Sequence, residues 1–305
     1  MTALLFIARH GKLALICGLL AGLLLPGLAQ VLRWWIPELV ALLLFLTAFR
    51  IGPIEVLANL GELRRTALAV LILQLAMPVG FLLLLALLGL PVAPLALAIA
   101  LVLAAPSVTG SANFAILLNA DPAPALRLLI LGTALLPVTC IPVFALLPGF
   151  GDLGDVLVAA LRLLVVILGA AALGFALRHW KAPNLSDRGR KAADGMTMVI
   201  LAVVVIGLMS AIRPALENTP AELAYWVVVA FALNFGLQVL SYLTLRRREY
   251  PAAAPTAIVA GNRNFALFFV ALSPQATEPL LIFLGCYQFP MYLTPTLLRR
   301  LYDPR

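Results

Sequence analysis

The stretch Gly261-Asn262-Arg263-Asn264-Phe265-Ala266 sets an arginine between two asparagines inside otherwise apolar sequence. An earlier stretch, Gly110-Ser111-Ala112-Asn113-Phe114-Ala115, shares the pattern Gly-x-x-Asn-Phe-Ala. The two lie 151 residues apart in a chain of 305. The spacing predicts that each half of the chain carries one copy of a repeat, and that the two stretches meet to form a polar site.

The sequence around them is membrane sequence. The chain is 64% hydrophobic and 11% charged, against roughly 45–50% apolar residues in an ordinary soluble domain. A soluble fold of this size cannot hide that much apolar surface, so an all-α polytopic membrane protein is expected. A helix crossing a bilayer needs about 20 mostly apolar residues. Ten stretches are candidates: Lys12–Leu25, Glu38–Arg50, Thr66–Leu90, Pro94–Asn119 and Pro124–Leu147, then Val156–Leu177, Gly195–Ile212, Leu223–Leu245, Pro255–Ser273 and Pro279–Leu298. The fourth and ninth are interrupted by the two motifs.

Lys and Arg gather on cytoplasmic loops near span ends. Here Arg9 and Lys12 precede span one, and Arg64 and Arg65 follow span two. Arg178, Lys181, Arg188, Arg190 and Lys191 follow span six. Arg246, Arg247 and Arg248 follow span eight, and Arg299, Arg300 and Arg305 end the chain. The expectation is a multi-pass protein of the cytoplasmic (inner) membrane with both termini cytoplasmic. The net charge of +8 then needs no nucleic-acid partner. Gly27-Leu28-Ala29 resembles a signal-peptide cleavage site, but removing the first apolar run would leave nine spans and break the symmetry of the halves. Cys17, Cys140 and Cys286 are scattered through predicted spans, which suits small buried residues better than a disulfide or metal framework.

Span four puts Pro106, Ser107, Thr109, Gly110, Ser111 and Asn113 close together. Proline and glycine weaken a helix, and non-helical backbone at this depth survives only where protein or a watery cavity surrounds it. A broken helix at a site is expected, with a tightly packed small-residue helix as the alternative. Span nine holds the other break. An arginine at mid-membrane costs about 2.5–3.5 kcal/mol on insertion scales, so it needs a partner or a task. Snorkelling and a structural pairing with a carbonyl or acid are the alternatives to a functional role. Gln74 and Met77-Pro78 in span three free or use backbone groups. Asn234 and Gln238 put amides into span eight, and Tyr287, Gln288, Tyr292 and Thr294 add polar groups in span ten. Thr133 and Thr139 of span five are candidates for the same cavity. Residues 54–65 read as a short interfacial helix or a loop. Asp121 reads as a helix cap and, as the acid nearest the first motif, as the one proton-coupling candidate.

Five spans per half would insert the two copies in opposite orientations, the inverted repeat of secondary transporters with broken helices meeting near the midplane. The halves are residues 1–152 and 153–305. Half-helix N-termini there favour an anionic ligand.

These features resemble the bile acid:sodium symporter family, within the wider bile acid/arsenite/riboflavin transporter group, and its divergent bacterial-type members. The resemblance rests on the ten-span pattern, on Pro106, Thr109, Ser111 and Asp121, on Met77-Pro78 after Gln74, and on Gly261 and Asn264. It implies a core domain of spans three to five and eight to ten, a panel of spans one, two, six and seven, and crossing breaks in spans four and nine. It also exposes departures. The family's asparagine after the crossing serine falls at Ala112, and Asn113 comes one residue later. The hydroxyl ligands of its sodium-driven members fall at Ala125 and Leu129. Their acidic ligand falls at Val259 and their glutamine at Arg263. Na⁺ takes oxygen ligands and is repelled by a fixed cation.

The expected function is therefore secondary active transport of a small organic anion by alternating access around the crossing, with Arg263 in place of bound sodium. The substrate-binding candidates are Thr109, Ser111, Asn113, Asn234, Asn262, Arg263, Asn264 and Gln288. A sodium-coupled, bile-acid-like symporter with rearranged ligands, among them Ser111, Asn113 and Gln74, is the alternative. A membrane sensor that binds without transporting is the second. The branch that exports arsenite carries a cysteine between Leu101 and Leu117, and this chain has none there. No nucleophile–base pair or Gly-rich phosphate loop points to an enzyme.

Overall fold

The computed structural model describes residues 2–58, 62–148, 152–272 and 278–302. It is all-helical among them. The helices are α1 (Thr2–Arg9), α2 (Gly11–Leu24), α3 (Pro26–Arg33), α4 (Ile36–Ala58), α5 (Leu63–Leu71), a π-turn (Ile72–Ala76) running into α6 (Met77–Leu87), α7 (Pro94–Ala104), α8 (Ser111–Leu117) and α9 (Pro122–Leu146). There follow α10 (Leu153–Lys181), α11 (Asp187–Leu208), a 3-10 turn (Met209–Ala211), α12 (Ile212–Asn218), α13 (Pro220–Arg247) and α14 (Ala253–Gly261). The chain closes with 3-10 segments at Phe265–Val270 and Glu278–Leu280, then α15 (Leu281–Leu297) and α16 (Arg299–Tyr302).

Among the described residues five helices are long and apolar enough to cross a membrane, or seven if the bent pairs α1–α2 and α3–α4 each count as one. The broken stretches fall short for a plain reason. The 11 residues of α7 rise about 16 Å against a hydrocarbon core of about 30 Å. Two short helices precede the expected start of spans one and two. The first apolar run ends before Pro26-Gly27, and that pair opens α3, with proline at a first-turn position where its missing N–H costs nothing. Trp34 and Trp35 follow at the bend, both exposed. Gly52 interrupts α4 with φ 76°, a conformation that suits glycine. The helix resumes after it to Ala58, so the expected interfacial helix is in part a continuation of α4, and Asn59, Leu60 and Gly61 lie outside the described residues. So do residues 149–151 of the turn between the halves, Ser273 at the expected end of span nine, and Arg305.

Helix packing sorts the elements. α4 packs on α10 and α11, and α11 on α1, α2 and α3. In the other group α9 packs on α5 and α8, and α13 on α14 and α15, while α9 also packs along α10 of the first group. The 3-10 segment Phe265–Val270 touches both α4 and α10, so the second break lies where the two groups face each other.

Candidate functional site

The site is built from two interruptions. α7 stops at Ala104 because Pro106 has no N–H to continue it and biases Ala105 toward extended backbone; Ala105 has φ −70° and ψ 148°. α8 resumes at Ser111. α14 stops at Gly261, and the Asn262 side chain donates to the Ile258 carbonyl at 2.8 Å. An asparagine side chain offers the backbone an alternative to the helix ladder. The two breaks cross. Val108 N–H donates to Asn262 O at 2.9 Å, and Asn264 N–H donates to Pro106 O at 2.8 Å, with Ser107 and Arg263 paired antiparallel between them. Each break thus satisfies backbone groups that the other has freed, as apolar surroundings demand.

Arg263 sits at this crossing, 2% exposed. Its Nε donates to Ala260 O at 2.8 Å, its Nη1 to Ala105 O at 2.9 Å, and its Nη2 to Leu73 O at 3.4 Å. Each carbonyl is open for a local reason. The α-helical partner of Ala260 O would be Asn264 N–H, which bonds Pro106 instead. Ala105 is the C-cap just past the end of α7. In the π-turn Met77 N–H reaches back to Ile72 O, and the next residue, Pro78, has no N–H to offer Leu73 O. The guanidinium therefore gathers carbonyls from three helix interruptions. Helix C-terminal ends carry partial negative charge, so the cation also suits its position electrostatically.

Behind the second break lies a polar scaffold. Asn234 Nδ2 donates to Gly261 O at 2.6 Å, and Tyr287 Oη donates to the same oxygen at 2.6 Å. Gln238 Nε2 donates to Asn234 Oδ1 at 2.7 Å and to Thr294 Oγ1 at 3.0 Å. Thr294 Oγ1 lies 3.3 Å from Asn262 Oδ1, and Tyr302 Oη donates to Gln238 Oε1 at 3.1 Å. Gly261 is needed for this approach, since a Cβ there would come within 2.3 Å of Asn234 O.

The expected residues divide among three places. Thr109, Arg263, Asn264 and Gln288 line a void of 20 Å³ at the crossing, room for about one water. Asn113 lines a different cavity, of 510 Å³, that also holds Arg9, His10 and Asp194. The two share Val108, Leu201 and Tyr292 in their walls. Asn234, Asn262 and Ser111 are each 0% exposed and are occupied in the scaffold; Ser111 Oγ accepts from Ser107 Oγ at 2.8 Å. Gln74 donates to Gly132 O at 3.1 Å, tying the π-turn to α9. Thr133 and Thr139 are buried in α9, outside the walls of either cavity.

Tyr292 carries more weight than the sequence suggested. Its hydroxyl is buried without a hydrogen-bond partner among the described residues, in the wall common to void and cavity. Asp121 accepts from Ala123 N–H at 3.0 Å as the cap of α9. Asp194, by contrast, lines the large cavity and pairs with Arg50. It precedes the apolar run of α11. Burial pushes its carboxyl up from the ordinary value, and the Arg50 guanidinium pulls it partly back.

Compared with family models and with curated proteins, the chain matches none.

Proposed function

We propose that this chain is a secondary active transporter of a small organic anion, built as ten spans in two inverted five-helix repeats, residues 1–152 and 153–305. In this reading α7–α8 and the stretch from α14 through Val270 are broken spans four and nine. The group containing α5 to α9 and α13 to α15 is the moving core, and the group containing α1 to α4, α10 and α11 is the panel. The protein belongs in the inner membrane with both termini cytoplasmic, and its motifs resemble those of the bile acid:sodium symporters.

One observation carries the proposal: a buried arginine holds three backbone carbonyls where two helix breaks cross. Carbonyl oxygens are the ligands a hard cation such as Na⁺ takes. Here a permanent cation takes them, and it would repel a second one. Arg263 thus supplies the positive charge that bound sodium would supply, and an anion can bind without a cation gradient. The ligand's charged end meets the Tyr292 hydroxyl in the wall common to both spaces, with Thr109, Asn264 and Gln288 behind it around the one-water void. Its body extends into the 510 Å³ cavity, a volume within the usual range for small-molecule sites. Alternating access then closes this cavity and opens the opposite side.

The test is a thermal-shift screen of carboxylates and sulfonates in Na⁺ and in choline buffer, followed by uptake of the strongest hit into proteoliposomes. Uptake should need Arg263 and weaken in Tyr292→Phe. Uptake undiminished in Arg263→Gln contradicts the proposal, and binding without uptake favours a sensor.

A further inference from the structure

At the basic end of the molecule α1 lies across the start of α11. Between them is a second cavity, of 350 Å³, lined by Leu5, Ala8 and Arg9 from α1 and by Arg188, Lys191 and Asp194 from α11. Arg188 and Lys191 are three apart on a helix, hence on one face, and Asp194 follows at the next three. The single carboxylate is already engaged by Arg50. Among the described residues Arg9, Arg188 and Lys191 form no ion pair. Three cations from two helices therefore face one concavity whose only acid is neutralised from outside it.

Next to this cavity the surface is apolar. Phe6 on α1 and Leu20 on α2 are exposed, whereas Leu13 and Ile16, on the same face as Leu20, also line the 510 Å³ cavity. A free polyanion has no use for such a strip, but the acyl chains of a lipid do.

We propose that this cavity binds the phosphate headgroup of an anionic phospholipid, whose chains lie along Phe6 and Leu20. Anionic headgroups are drawn to clustered Lys and Arg at the membrane surface, and basic pockets between helices hold them. The lipid pins α1 to α11 beside the wall of the large cavity, since Ala8, Arg9 and Asp194 line both spaces.

The experiment is native mass spectrometry of the full chain after reconstitution into equal phosphatidylglycerol and phosphatidylcholine. The wild type should retain phosphatidylglycerol. Each cation is worth roughly fivefold at such a surface, so Arg188→Gln/Lys191→Gln should lose about thirtyfold of that preference. These residues are exposed, so the variant should fold. Arg247→Gln/Arg248→Gln, an equal charge change at the end of α13, should keep it. No preference in the wild type overturns the proposal, and so does an equal loss in the α13 variant. Inorganic phosphate that stabilises the lipid-free protein as much as phosphatidylglycerol does would reassign the site to a soluble anion and overturn the lipid. The readout is lipid retention, so it is independent of any transport assay.

Discussion

Replacing Arg263 by methionine removes the charge while keeping an unbranched side chain. Two of its hydrogen bonds are short, 2.8 Å to Ala260 O and 2.9 Å to Ala105 O, and the third is 3.4 Å to Leu73 O. Hydrogen bonds to a charged group contribute about 1.5–3 kcal/mol each, and a buried acceptor left unpaired costs about 1–3 kcal/mol. Against this, a desolvated cation is removed, which returns part of the loss. Counting the two short bonds and discounting for desolvation, Arg263→Met should lose about 3 kcal/mol, within the range for breaking a buried charged partnership. Arg263→Lys keeps the charge but cannot reach three divergent carbonyls with a planar fork, so it should fall between. Denaturant titration in mild detergent reads both. The variant also leaves three oxygens facing a gap, so Na⁺ in place of choline should stabilise Arg263→Met and leave the wild type unchanged. Wild-type stability in Arg263→Met, in both salts, would refute the reasoning.

Gly261→Ala should cost about 1–3 kcal/mol through overpacking, because the new Cβ meets Asn234 O at 2.3 Å and Gln238 Cγ at 2.5 Å; Gly236→Ala in α13, with nothing within 4 Å, should be neutral or better in the same unfolding assay. Asn234→Leu takes one acceptor from the Gln238 amide, which keeps Thr294, and one donor from Gly261 O, which keeps Tyr287, so it should lose about 2 kcal/mol. Burial raises the carboxyl of Asp194 in the folded protein, so the folded state holds its proton to higher pH than the unfolded chain. Its contribution is greatest in acid and is lost as pH rises above the ordinary carboxylate range. The stability of the wild type relative to Asp194→Asn should therefore fall between acid and neutral pH, and a pH series of thermal scans checks it.

The sequence made both breaks legible because Pro106, Gly110, Gly261 and the asparagines act locally. A proline removes a donor wherever it sits, so the open carbonyl near Met77-Pro78 was also foreseeable. Its taker was not: Arg263 is 190 residues from Leu73 and 158 from Ala105, and only the crossing joins them. The same holds for Asn234, which reads as a ligand in an apolar span but spends its amide on Gly261 O and its carbonyl on Gln238. α1 escaped notice because eight residues cannot cross a bilayer and carry no span signal. Asp194 was hidden among the charged residues that open α11, where the packing of α4 on α11 brings Arg50 to it. Tyr292 looked like one polar group among several in span ten, and only its unpartnered hydroxyl sets it apart.

The most direct test of the account is uptake of the screened anion into proteoliposomes under an imposed Na⁺ gradient and with choline replacing Na⁺ on both sides. If Arg263 stands where a coupling cation would, initial rates and accumulation should be the same in both conditions. Accumulation that rises steeply with the Na⁺ gradient would contradict it.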